Sequence, residues 1–294
     1  MTELAIERPA AAPELRGVRL YWLRLKHRPV ALAATIIFCI FFLLAVIGPW
    51  ISPYPPTEQD YDARLESPSI SHPFGTDQYG RDVFSRVIAG TRGVFVLCGL
   101  GTAMAVAIGT ITGLFSGYVG GLTDEVIMRV YDVLLCIPSL LLAMVMIAVA
   151  GPSKLNLILV VGILYTPDVA RVVRSVVLDL RTKEFVEAAK VRRETRRHIL
   201  FREILPNALG PLMVESAMRF SYSIFLVASL GFLGLGVQPP SPDWGLQINE
   251  ARNFMGLAPW MLFFPAAAIA LLIISTSLMS DGLKEIGEPV RSGG

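Results

Sequence analysis

Five charge-free runs divide the chain, at residues 30–56, 93–123, 133–153, 220–242 and 253–280. Each exceeds the roughly 18 consecutive apolar residues that mark a membrane-crossing helix. A sixth and weaker run, 155–175, stays apolar until Asp168, then carries Arg171 and Arg174, charges that suit a membrane interface. The pattern predicts an all-α polytopic membrane protein with six transmembrane helices. The first run is longer than the apolar stretch of a signal peptide, and it leads into Gly48-Pro49-Trp50 instead of a small-residue cleavage site, so it is expected to remain as a helix.

The segments between runs set the expected organisation. Residues 1–29 form a polar leader, in which 16–28 has the makings of a short helix on the membrane surface. The first span, 30–52, is followed by an external loop, 53–92. There Asp77 is the expected cap of an interfacial helix whose apolar side is Val83, Phe84, Val87 and Ile88. The remaining five spans make a core, 93–281, interrupted by a charged loop at about 176–206. A tail, 282–294, closes the chain.

Charge fixes the expected orientation. The leader carries Arg8, Arg16, Arg19, Arg24, Lys26 and Arg28, and the 176–206 loop carries Arg181, Lys183, Lys190, Arg192, Arg193, Arg196, Arg197 and Arg202. Both regions fall on one side of a six-span chain, and the excess of Lys and Arg makes that side cytoplasmic. Both termini are expected there too. A net charge of +2 then says nothing of nucleic acid, because topology accounts for the basic residues. Composition agrees, with 53% hydrophobic and 17% charged residues against about 25% charged in soluble domains.

Within the spans, Gly109, Gly113, Gly117 and Gly121 recur every four residues and predict a flat ridge that another helix can approach closely. Such a ridge serves either a moving interface or static packing. Glu215 and Arg219 stand one helical turn apart, in the order that favours pairing. A lone arginine inside a membrane costs about 2.5–3.5 kcal/mol, so the pair either lines a wet passage or locks the bundle. Cys39, Cys98 and Cys136 all lie in apolar runs without metal-like spacing and read as small buried hydrophobes.

Enzyme chemistry has no foothold in the sequence. It contains no phosphate-cradling Gly-x-x-x-x-Gly-Lys-Ser/Thr and no His-Glu-x-x-His, and His27, His72 and His198 fall in separate segments. A self-powered channel or secondary transporter would need its own ion- or proton-coupling site, and the intramembrane acids are too few for a proton relay.

The charged loop is the most distinctive stretch. Residues 184–191 are good helix formers with Ala188 and Ala189 between Glu184 and Glu187, an apolar patch suited to a partner's cleft. A second, basic helix is expected over 195–204, stopped by Pro206.

Glu187-Ala188-Ala189 followed by Ile204-Leu205-Pro206-Asn207 resembles the EAA loop of ABC-importer permeases. The run 74–86 (FGTDQYGRDVFSR), the run 231–245 (GFLGLGVQPPSPDWG) and Asp281-Gly282-Leu283-Lys284 resemble blocks of the dipeptide/oligopeptide/nickel branch, and of its C-type permease subunit. The four blocks keep the family's order over most of the chain. The resemblance implies a type I ABC importer permease fold in the cytoplasmic membrane of a bacterium. It also implies a second, homologous permease, two ABC ATPases bound at the loop through Glu184, Glu187, Ala188, Ala189, Arg193, Ile204, Leu205 and Pro206, and an external solute-binding protein. ATP and magnesium would be held by the ATPases and no cofactor by this chain. Peptide is the expected solute. One departure stands out: Arg193 occupies the position where the family usually has glycine, so either the turn shifts or the first helix runs on.

Overall fold

The computed structural model describes residues 28–287. The leader's amphipathic stretch and the last part of the tail, with Arg291, lie outside the described residues. Among these residues the fold is helical, with one isolated bridge, Thr76–Asp82, and no extended strand. The long helices are α1 (Pro29–Ile51), α2 (Val83–Val119), α5 (Lys154–Leu180), α8 (Leu205–Phe232) and α10 (Trp260–Gly287). Between them lie α3 (Gly121–Leu135), α4 (Ser139–Ala150), α6 (Glu184–Val191), α7 (Arg196–His198) and α9 (Trp244–Ala251).

Among the described residues, four helices are long and apolar enough to cross a membrane: α1, α2, α5 and α10, the last over Trp260–Gly282. The α3–α4 pair qualifies jointly and is bent by 88°. Pro138 explains the break, since proline restricts the residue before it and cannot continue α3. The third span is therefore a bent pair and not one straight helix. Helix α8 has 28 residues and packs among the others, but its composition falls short of those spans, with Glu215, Arg219, Ser216, Ser221 and Ser223 along it.

The expected interfacial helix and second span are one element. Helix α2 has 37 residues, about 55 Å at 1.5 Å per residue, against a hydrocarbon layer of about 30 Å. Its cap is Asp82, whose carboxylate accepts the Ser85 N–H at 2.8 Å, and not Asp77 as the sequence suggested. Asp77 instead accepts from the N–H groups of Tyr79 and Arg81 and pairs with the Arg81 guanidinium at 2.5 Å. Arg81 and Arg86, 2% and 1% exposed, also reach Glu250 on α9, at 2.7 and 3.4 Å. These charges are thus neutralised inside the protein, with Asp77 and Arg81 just before α2 and Arg86 in its first turn.

The same contacts join two of the motif blocks. Trp244 Nε1 donates to the Val87 carbonyl at 2.8 Å, Gln247 Nε2 to that of Arg86 at 3.3 Å, and Trp260 Nε1 to that of Thr76 at 3.1 Å. With Arg86 donating to the Ser241 carbonyl at 3.5 Å, residues 74–87 are thereby joined to the 231–245 block, to α9 and to the start of α10 as one plate. Asp243, which caps α9, is buried in it, and that burial pushes its carboxyl above the usual carboxylate range.

The main helix contact is α2 on α5. A β-carbon placed on Gly101, Gly109, Gly113 or Gly117 would lie within 3 Å of Val161, Val169, Val173 or Val177, each sixty positions further on. A constant offset means that α2 and α5 run parallel. The intervening α3–α4 pair must then carry the chain back across the bundle. The ridge begins at Gly101, which the sequence reading overlooked. It excludes Gly121, which has nothing within 4 Å and instead makes the left-handed turn into α3 with φ +57°. The thiols are corrected as well: only Cys98 is buried, while Cys39 and Cys136 are exposed on the bundle's outside. The serine-rich run near the end of α10 binds α8, through Ser221 with Ser277 at 2.9 Å and Ser280 to the Val214 carbonyl at 3.1 Å.

Gly113→Val should lower the melting temperature of the detergent-solubilised protein, because its first carbon meets the Ala170 carbonyl at 2.6 Å and overpacking of this kind costs about 1–3 kcal/mol. Gly99→Ala, which meets nothing within 4 Å, should be neutral or slightly stabilising.

Candidate functional site

Helix α6 begins with Glu184 and Glu187 in its first turn and has Lys190 in its last, so its charges oppose the helix dipole at both ends. Glu187 and Lys190 pair at 2.7 Å on the exposed face, a contact worth at most about 1 kcal/mol. The other face is apolar. Val186 and Ala189 are fully buried, packed in one cluster with Ile199, Leu200 and Ile204 and with Leu114 of α2, Val169, Val173 and Val177 of α5, and Leu212 of α8. Burial of a valine-sized side chain contributes about 1.5–3 kcal/mol, so this cluster outweighs any surface pair in holding α6 to the bundle.

The two alanines therefore part company. Ala188 is exposed beside Glu184 and Glu187, whereas Ala189 points into its own chain and is not free to enter a partner's cleft. Ile204 is buried, Leu205 is half-buried and Pro206 is exposed. The outward surface also carries Val191, Phe201, Arg192, Arg193, Arg196, Arg197 and Arg202.

Neither expectation for Arg193 holds. The turn does not shift and α6 does not run on: Arg193 itself takes the left-handed conformation, with φ +57°. The Glu194 N–H reaches the Ala189 carbonyl at 3.1 Å, and the Arg193 N–H reaches that of Lys190 at 2.9 Å. These are the two hydrogen bonds of a Schellman cap, made here without glycine.

Pro206 does not stop the second helix. Residues Ile199–Ile204 are π-helical between α7 and α8, and the chain continues through Pro206, the second residue of α8. Proline near a helix start lacks only an N–H that has little use there. The π turn absorbs the mismatch, so the loop's second arm is the beginning of α8. Thr195 caps α7 through the His198 N–H.

Deeper in the bundle, the Glu215–Arg219 pair forms at 2.6 Å and gains a partner the sequence did not indicate. Asp168 on α5 lies 3.1 Å from Arg219, whose guanidinium also sits over the rings of Tyr222 and Tyr165, at 4.9 and 5.8 Å. The Tyr165 hydroxyl donates to the Tyr222 carbonyl at 3.0 Å, which ties α5 to α8. Glu215 is buried, and Asp168 and Tyr222 are partly open to the outside of the bundle. Asp124 and Asp132 of α3 hold Arg174 and Arg171 of α5, each at 2.6 Å, so these charges brace helices together and do not simply mark an interface.

Against known proteins, residues 109–289 match the family model described as a binding-protein-dependent transport system inner membrane component. Residues 18–68 match one described as the N-terminal TM domain of oligopeptide transport permease C. A dipeptide transport system permease protein from Alkalihalophilus pseudofirmus is 38% identical over 90% of this chain and 88% of its own length. A probable D,D-dipeptide transport system permease protein from Escherichia coli strain K12 is 37% identical, covering 99% and 97%. A glutathione transport system permease protein from Pectobacterium atrosepticum is 39% identical, covering 92% and 90%.

Arg193→Gly should stabilise the loop by about 1 kcal/mol, because a left-handed non-glycine residue carries a penalty of about that size. Amide hydrogen exchange across 184–194 should slow accordingly.

Proposed function

This chain belongs to the family of binding-protein-dependent transport system inner membrane components, and we propose that it moves peptides, driven through its α6 loop by separate ATPases. It is a non-catalytic permease subunit of a multi-subunit ABC importer. In the proposed assembly it pairs with a second, homologous permease and binds one of two ABC ATPases, which hold ATP and magnesium. An external binding protein delivers the solute. The loop faces the cytoplasm in a bacterial inner membrane, as the clustering of its arginines favours.

The observation that carries this reading is the two-sided character of α6. Its inner face, Val186 and Ala189, is sunk among the ends of α2, α5 and α8, while its outer face presents Glu184, Glu187 and Ala188. A push on that outer face moves the helix ends with it, which is what a connection between a motor and a passage requires. Helix α8 continues from the loop without a break, so its turn by turn displacement follows α6. Its unpartnered face, with Tyr222 beside Arg219, lines the passage, which opens alternately to either side of the membrane. Peptide is favoured as cargo because the relatives are named for dipeptide, D,D-dipeptide and glutathione transport.

Ala188→Arg and Glu187→Lys place bulk and positive charge on the outer face without touching the buried one. Both should abolish co-purification of the ATPase subunits and peptide uptake, while the permease still inserts and melts normally. Full association and uptake in both variants would remove the loop from its proposed role.

A further inference from the structure

Two cavities meet at Arg92, at the end of the bundle away from α6: Lys154 begins α5 there, and the far end of α5 packs on the α6 cluster. The first cavity, of about 340 Å³, lies between α2, the start of α5 and the stretch before α9, and its cations are Arg92 and Lys154. Both are exposed, and among the described residues neither side chain has an ion pair or a hydrogen bond. Asp243, the acid on its wall, is occupied as the α9 cap, accepting the Leu246 N–H at 3.1 Å. The chamber therefore holds uncompensated positive charge.

The second cavity, of about 610 Å³, is a groove between α1 and α2 that shares Arg92 and Val96 with the first. Its mouth carries Arg92, the last charge before the run 93–123, and Trp50, which is 80% exposed. Its deeper walls are Phe38, Phe42, Phe95 and Phe220, braced ring against ring with centroids 5.6 to 6.3 Å apart. Trp50 and Phe38 are twelve positions apart on α1, or about 18 Å, close to the depth of one leaflet's hydrocarbon. Charge, then indole, then hydrocarbon is the order of a membrane leaflet read from its surface inward. A neighbouring helix suits the groove poorly. Close helix contacts in a membrane use small residues, as α2 does against α5, and this groove is walled by large rings.

We propose that the two cavities form one site for an anionic phospholipid, with its phosphate in the chamber of Arg92 and Lys154 and one acyl chain in the phenylalanine groove. The site depends on neither the peptide reading nor the docking of ATPases.

The test uses the full chain, purified in mild detergent with whatever subunits remain bound and stripped of lipid. It is titrated with phosphatidylglycerol or phosphatidylethanolamine, and bound lipid is counted by native mass spectrometry. Gly93 lines the first cavity and Gly99 the second, and a β-carbon on either meets nothing within 4 Å, so both positions accept a side chain. Phosphatidylglycerol, with its net negative charge, should bind about tenfold more tightly than the zwitterion. Arg92→Gln should cut that preference about fivefold, the scale of one cation at a membrane surface, and leave phosphatidylethanolamine binding at the wild-type level. Gly93→Glu should abolish the preference. Gly99→Phe should weaken both lipids alike, by filling the groove. A preference unchanged in Arg92→Gln and Gly93→Glu, or binding unchanged in Gly99→Phe, would make the lipid an adventitious one and overturn the site. Displacement of phosphatidylglycerol by an equal concentration of glycerol phosphate would overturn it too, as a pocket for free anions. So would lipid binding that disappears whenever another subunit is bound, since the groove would then be a protein interface.

Discussion

The constraint on which the rest depends is the burial of one face of a short, charged helix. Val186 and Ala189 have no exposed surface, and they are covered by Ile199, Leu200 and Ile204 together with side chains from α2, α5 and α8. An eight-residue helix is too short to be stable alone in water, so α6 exists because this cluster holds it. The same cluster makes the loop continuous with the bundle. On the proposed function, the loop's usefulness as a lever and its stability have one origin.

A second constraint acts along the bundle. The glycines of α2 admit the valines of α5 so closely that the two helices pack as parallel neighbours from Gly101 to Gly117. At these distances a shift of α5 against α2 would drive valine side chains into backbone. The ridge therefore favours static packing over sliding, and movement is expected elsewhere, along the unpartnered face of α8. At the far end, Arg81, Arg86, Asp77 and Glu250 tie α9 and the segment before α2 into one plate. Both ends of α2 are thereby clamped, by charge at one and by apolar packing at the other.

Much of this was legible in the residues. The charge-free runs located α1, α2 and α10 and the weaker run α5, whereas run 133–153 fell on the bent pair and run 220–242 reached only the second half of α8. The four-residue glycine spacing located the α2–α5 contact, with Gly101 recoverable by extending the spacing across Ala105. The pairing of Glu215 with Arg219 follows from one helical turn. What the sequence could not reveal depends on contacts between distant residues. Asp168 gives no local sign that it will meet Arg219. Arg81 and Arg86 look like surface charges until Glu250 is brought to them from far along the chain. Ala188 and Ala189 are alike in composition and opposite in burial, because only the position of α6 on the bundle decides which faces inward. Local rules also misled where tertiary packing overrode them. Arg193 occupies a glycine conformation, and Pro206 is passed by a π turn, because both ends of the loop are held by the same buried cluster.

The central claim is that the loop and the bundle move as one body, and a distance within this chain measures that directly. Spin labels at the exposed positions Arg197 and Leu122 would report the loop and the start of α3 in the assembled importer. A single narrow distance distribution, the same without nucleotide and with ATP bound, is the predicted result. A broad distribution, or one that shifts when ATP binds, would mean that the loop flexes on its own, and the account would be contradicted.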